Sequence, residues 1–367
     1  MYSQQELDDA VAAGALSAEA ANGLRTHVAR RRSTIPDEEQ FRLLTGFNDI
    51  FVSIAAAILL FALGWIGQSI GRASGLVVDV DGPSPLAPML VAAASWGLAL
   101  FFTAKRRMAL PSILLLLGFV GGVFVMSGFA LTEAMGADAL NNNNVLGGIV
   151  AAVAGAIAAA AAWLHWRRFH VPITIAAGAA AVAGLFAGLL VAVLGPAASD
   201  SPNVMLGMVL VLGIGVFLFA MWWDASDRSR LTRRSDVAFW LHLLAAPMIV
   251  HPIFTLLGLN SGNVGLGGGL AAVALYIGLG VTALAIDRRA LLVSALAYVL
   301  WALADLFKKF GAVELNMALT ALVIGSALLL LSAFWHQARE AIVRPLPEGL
   351  KDRLPILGRT VAPEAIA

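Results

Sequence analysis

Cysteine is absent from the 367 residues. That excludes disulfides, thiolate metal sites, iron–sulfur clusters and a cysteine nucleophile. Charge is scarce as well. Asp, Glu, Lys and Arg make up 13% of the chain and hydrophobic types 60%. Soluble domains carry about twice that share of charge, so lipid is the solvent for most of this surface. Familiar catalytic patterns are missing too: no G-x-x-x-x-G-K-[ST], no H-E-x-x-H and no G-x-S-x-G. The run Gly265-Leu266-Gly267-Gly268-Gly269 follows no strand and opens an apolar helix, so it is not a dinucleotide fingerprint. Nothing calls for a cofactor, a bound metal or a nucleic acid. Residues 1–45 are polar and the first long apolar run starts near Phe47. A cleavable secretory signal is therefore not expected, and the first span serves as its own insertion signal.

What is present is a series of apolar runs, each close to the 20 or so residues that cross a bilayer. There are ten: 48–70, 86–104, 109–132, 145–165, 171–195, 203–223, 237–258, 265–286, 290–307 and 313–335. The expected fold is an all-α polytopic membrane bundle of about ten transmembrane helices. With the N-terminus inside, 21 of the 24 Lys and Arg fall on inner segments, and only Arg72, Lys308 and Lys309 fall outside. That bias sets N- and C-termini in the cytoplasm. Three regions follow: a cytoplasmic helical head (1–45), the transmembrane domain (46–335) and a basic tail (336–367).

The head reads as two short helices. Ser3 with Glu6 forms a capping box, Gly14 ends the first helix, and Ser17 caps a second carrying Leu24 and Val28. It is either a docking module for a cytoplasmic protein partner or a hairpin packed on the bundle. Loop 71–85, with Pro83 and Pro85, reads as irregular and exposed. In the tail, Leu346, Leu350, Leu354 and Leu357 alternate with basic residues, which suits a segment lying on the inner leaflet. Basic turns recur about every 61 residues, either as a repeated hairpin or as the simple spacing of paired spans.

Glycines four apart, Gly118 with Gly122 and Gly184 with Gly188, suit close helix packing. Intramembrane polar residues are the functional pointers. In the ninth run Ser294, Tyr298, Trp301 and Asp305 follow at steps of four, three and four, which places them on one face. The seventh holds His242, Pro247, His251 and Pro252. Nine residues turn a helix by about 180°, so its two His cannot share a metal. Depth matching places His251 beside Asp305 in the outer half, as a titratable pair. Gln68, Glu133, Glu314 and Asn316 fall at outer helix ends. The expected site is an outward-opening polar pocket for a small solute, built from helices one, seven, nine and ten. His165 and His170 flank a basic turn and are expected to be solvated or to face headgroups.

The head pattern Leu7-x-x-Ala10-x-x-x-Gly14-x-Leu16-Ser17-x-Glu19-x-Ala21, followed by a Gly/Ala-rich span, resembles a bacterial membrane-protein family, domain of unknown function twenty-one fifty-seven. The end, Trp335 to Arg339 with Leu346-Pro347 and Leu354-Pro355, is similar to a sister family, forty-four oh-one, as is Phe239 to Pro247. The resemblance implies a multi-pass protein of the bacterial inner membrane and no specific activity. On these grounds the chain is expected to be transporter-like or permease-like. The alternative is a non-transporting scaffold or sensor, and an intramembrane enzyme is the least favoured class.

Overall fold

The computed structural model describes residues 10–24, 47–79, 81–141, 143–199, 201–228, 230, 232–259, 266–309 and 316–357. The chain divides into two compact units, Met1–Phe41 with Ile356–Ala367, and Arg42–Pro355. In the first unit residues 10–12 and 18–24 are helical. Gly14 takes the left-handed conformation (φ +71°) and Ser17 Oγ accepts from the Ala20 amide at 3.1 Å. Ser3, Glu6, Leu7 and Val28 lie outside the described residues.

The second unit is helical, with no strand among its described residues. Its long helices are α1 (Phe47–Ser74), α2 (Leu86–Phe102), α3 (Ala109–Met135), α4 (Asn144–Phe169), α5 (Ile173–Leu194), α6 (Pro202–Ala225), α7 (Arg233–Leu256), α8 (Leu266–Ile286), α9 (Ala290–Lys309) and α10 (Asn316–Ala333). Seven helices are long and apolar enough to cross a membrane. Of the others, α2 and the apolar stretch of α9 are shorter. α10 qualifies only together with α11 (Trp335–Val343), from which it is bent by 75°. Trp335, expected to end the tenth span, instead opens α11. Pro247 and Pro252 lie inside α7, which stays helical through both.

Most neighbours in sequence pack together, as α1 with α2, α2 with α3, α4 with α5, α6 with α7 and α8 with α9, and α7 ties the second half together by touching α5, α6 and α9. In lipid no hydrophobic force drives helix against helix, so close approach depends on small side chains. The α4–α5 contact shows this. A Cβ on Gly188 would lie 2.4 Å from the Ala152 nitrogen, and one on Gly148 would lie 2.5 Å from the Ala192 nitrogen. Gly118 and Gly122 likewise admit Ser95 and Ala92 of α2. Gly184 has open space instead. The true partners of Gly188 stand on α4, which the spacing within α5 does not reveal.

Residues 75–85 form the irregular and largely exposed loop expected, and the α1 side chain Gln68 pins its end. Gln68 Nε2 donates to the Gly82 carbonyl at 3.0 Å, and Gln68 Oε1 accepts from the Ser84 amide at 2.8 Å. Ser84 is fully buried against Gly71, and its hydroxyl accepts from the Leu86 amide that opens α2.

Gly188→Leu is expected to lower stability by about 1–3 kcal/mol through overpacking, whereas Gly184→Leu leaves it unchanged. Thermal unfolding in detergent compares the two. Equal midpoints would show that the α4–α5 contact is not set by Gly188.

Candidate functional site

Two polar centres emerge. The first joins α7 and α9, the pair of helices singled out by the sequence. His251 Nδ1 and the Tyr298 hydroxyl are hydrogen-bonded at 2.5 Å, and the Tyr298 ring stacks on Phe254 at 4.8 Å. Tyr298 packs against a core of Val250, Phe254, Leu259, Ala272, Ala295 and Ala302, while His251 is exposed. Ser294, one turn earlier on α9, is half-buried. Trp301 and Asp305 continue α9 and Asn316 opens α10, but their side chains lie outside the described residues, as does Glu314 entirely.

His251 meets Tyr298, and Asp305 stands seven residues, or about 10 Å, further along α9. Gln68 is not part of this centre. Both ends of its amide are occupied by loop 75–85, and α1 packs on α2 and α3. Among the described side chains of the expected pocket, the pair that meets is His251 of α7 and Tyr298 of α9. A recess of about 370 Å³ between α5 and α6 is lined by apolar residues such as Phe186, Val211 and Phe219, so it offers polar solutes nothing.

The second centre was not foreseen. Asp224, at the end of α6, is 1% exposed, His242 of α7 is 0% and Arg288, between α8 and α9, is 3%. Arg288 Nη2 donates to Asp224 Oδ1 at 2.6 Å and to the Ser235 carbonyl at 3.0 Å, while its Nε reaches Asp224 Oδ2 at 3.3 Å. His242 Nε2 lies 3.0 Å from Asp224 Oδ2. Since that carboxylate accepts, Nε2 carries the ring proton. His242 Nδ1 is buried with no partner, and the edge-on Phe217 ring is 5.3 Å away. One carboxylate thus balances one guanidinium, and the imidazole joins them without adding charge.

Asp287, next in sequence, is a second hub. Its Oδ2 accepts from Arg230 Nη1 at 2.9 Å and its Oδ1 from Trp335 Nε1 at 2.8 Å, with Arg339 Nε 3.8 Å away. Arg339 also donates to the Pro355 carbonyl, and Arg228 to the carbonyls of Lys351 and Leu354. The guanidinium of Arg289 covers the Trp335 ring at 4.7 Å. The tail from Trp335 to Pro355 is therefore tied to the turns 226–232 and 287–289. Burial alone would raise the Asp287 carboxyl. The charges of Arg230 and Arg339, the Trp335 hydrogen bond and the charge of Arg288 outweigh it and hold Asp287 below the usual aspartate range.

These arginines were read only as topology signals. The available clue was the presence of Asp224, Asp227, Asp236 and Asp287 at the basic end. His165 also departs from expectation. It is fully buried among Trp96, Phe119 and Phe169, with Nδ1 3.2 Å from Thr174 Oγ1, and is neither solvated nor facing headgroups. His170 is exposed and caps α4 in the left-handed conformation. Comparison with protein-family models, curated proteins and solved structures finds no match to this chain.

Arg288→Met leaves a buried carboxylate without its charge partner, and the expected loss is about 3–5 kcal/mol. Asp224→Leu with Arg288→Met together should cost clearly less than the sum of the singles; additivity in unfolding experiments would mean that the pair does not interact. Asp287 sets a pH dependence. Because its folded value is depressed, its stabilisation is present above the ordinary aspartate value of about 3.9. It is lost as pH falls through the lower folded value. Hydrogen exchange of amides 335–354 should stay slow from neutral pH down to that window. In Asp287→Asn it should already be fast at neutral pH, and unchanged protection there would remove Asp287 as the hub.

Proposed function

We propose that this chain is a ten-span protein of a bacterial inner membrane, with both termini cytoplasmic, and that it is permease-like toward a small solute. The ten-span count rests on α1–α10, with the two shorter helices and the bent α10 counted as spans, and the orientation rests on the Lys and Arg bias. The observation that carries the permease reading is the His251–Tyr298 pair. Two hydrogen-bonding side chains on facing helices, one of them exposed, meet within the span, His251 in the half of α7 away from Arg233 and Tyr298 near the middle of α9. Such groups are costly against hydrocarbon and economical beside water or a polar solute. The hydroxyl and the imidazole can each exchange their mutual hydrogen bond for one to a solute. In this reading Ser294, one turn away, adds a third polar contact, and Trp301, Asp305 and Asn316 lie toward the outer mouth.

The scaffold or sensor reading draws on a different observation, the ordered tail clasped by Arg228, Arg230 and Arg339. It expects a cytoplasmic partner that co-purifies through residues 1–45 and the tail. The permease reading expects saturable solute uptake into vesicles.

The absence of native cysteine makes the decisive test clean. Ser294→Cys, Tyr298→Cys and Asn316→Cys are introduced singly into cells whose outer membrane is made permeable. A membrane-impermeant thiol reagent should label all three from outside. Labelling of Asn316→Cys alone would make the His251–Tyr298 pair dry packing and sink the permease reading.

A further inference from the structure

The cations at the basic end fall into two sets. Arg228, Arg230, Arg288 and Arg339 are engaged by carboxylates and carbonyls. Arg106 and Arg107, between α2 and α3, and Arg167 and Arg168, at the end of α4, are exposed and pair with no carboxylate among the described residues. Neither segment, 103–108 nor 163–172, contains an acidic residue.

The two turns form one corner. Phe102 and Phe169 pack against the same buried group of Ala56, Leu60, Ala99 and Leu115, and Trp96 meets Phe169 at 5.1 Å. Three of the four guanidiniums are braced on aromatic faces: Arg106 on Phe101 at 5.4 Å, Arg167 on Trp163 at 4.9 Å and Arg168 on Phe169 at 5.6 Å. Bracing on a ring limits the freedom of a long side chain and leaves its N–H fork for a ligand. Trp163 and Phe101 are 58% and 43% exposed, and Leu100 and Leu164 beside them are also exposed. Unpaired cations therefore stand directly above an uncovered apolar wall.

We propose that this corner binds an anionic phospholipid. Its phosphate is held by the guanidiniums of Arg106, Arg107, Arg167 and Arg168, and its acyl chains lie along Phe101 and Trp163. Only an amphiphile satisfies both halves of the surface. A guanidinium fork matches phosphate oxygens in a bidentate manner, and a lipid with net negative charge is favoured because no carboxylate offsets the cations. A free phosphate would use the arginines and leave the apolar wall bare. The inference rests only on the helices being embedded in lipid, so failure of the permease reading leaves it standing.

The test uses the purified full chain in neutral detergent, with bound lipid counted by native mass spectrometry. Phosphatidylglycerol is expected to be retained about tenfold better than phosphatidylcholine, a difference of about 1.4 kcal/mol. Arg167→Gln with Arg168→Gln should bring that preference close to unity without moving the thermal midpoint. Trp163→Ala, which keeps every charge, should weaken retention of both lipids. Arg344→Gln with Arg353→Gln removes two exposed tail arginines and should change nothing. The proposal is overturned if the corner variant keeps the preference, if the tail variant loses it equally, or if millimolar inorganic phosphate displaces the lipid. Should the glutamine pair fail to fold, Arg106→Gln with Arg107→Gln gives the same reading from the other turn.

Discussion

The second half of the bundle depends on one buried carboxylate. Asp224 ends an apolar helix and is shut off from water, where an unpaired charge would be very costly. Its two oxygens are answered from two other places in the chain, Arg288 between α8 and α9 and His242 inside α7. The end of α6 is thereby fixed to α7 and to the α8–α9 turn. The Ser235 carbonyl at the start of α7 accepts from the same Arg288 Nη2. With Arg288 held, Asp287 has a defined place one residue earlier. It gathers Arg230 and Trp335, and through Trp335 and Arg339 the tail beyond α10 comes into register.

This arrangement suits the solvent. Apolar helices in lipid gain little from burying one apolar face against another, so packing alone leaves their ends loosely specified. Two devices fix them here. Where backbones touch, as at Gly148, Gly155 and Gly188, steric fit sets the register of α4 against α5. Where side chains are larger, polar clamps do it: the Gln68 amide around loop 75–85 at one end, and the aspartate–arginine network at the other. Both clamps lie at helix ends, where the segments between spans begin and hydrogen-bonding groups remain available.

The helices were legible because hydropathy is local. Each apolar run in the sequence coincides with one of α1–α10, within a few residues at the ends. What stayed hidden depends on pairing across the chain. Asp224 and Arg288 are 64 residues apart, and nothing in either neighbourhood shows that they meet. Of the helix-nine stripe, Tyr298 is seen to meet α7, through His251. That the Tyr298 hydroxyl would be the one to meet His251 follows from how α7 and α9 cross, which no local pattern records. Gly184 followed the spacing rule yet meets nothing, since the rule marks a face of α5 without saying where α4 lies.

The same blindness explains why arginines of one topological class have two physical fates. A Lys and Arg bias counts cations on one side of the membrane and ignores their partners. Among the described residues four non-glycine positions adopt positive φ: Arg107, His170, Arg230 and Asp287, each in a different basic turn. A left-handed residue other than glycine costs on the order of 1 kcal/mol or more, and glycine would remove that cost. At Arg230 and Asp287 the compensation is visible. The Arg230 fork takes the Asp287 carboxylate together with the carbonyls of Ile286 and Asp287; glycine at 230 would lose all three bonds, and glycine at 287 the carboxylate bond. At Arg107 no such protein contact is on hand. Its side chain is exposed in a turn that contains no acidic residue, which agrees with a partner from the lipid. A lipid phosphate at that corner would do for Arg107 what Asp287 does for Arg230.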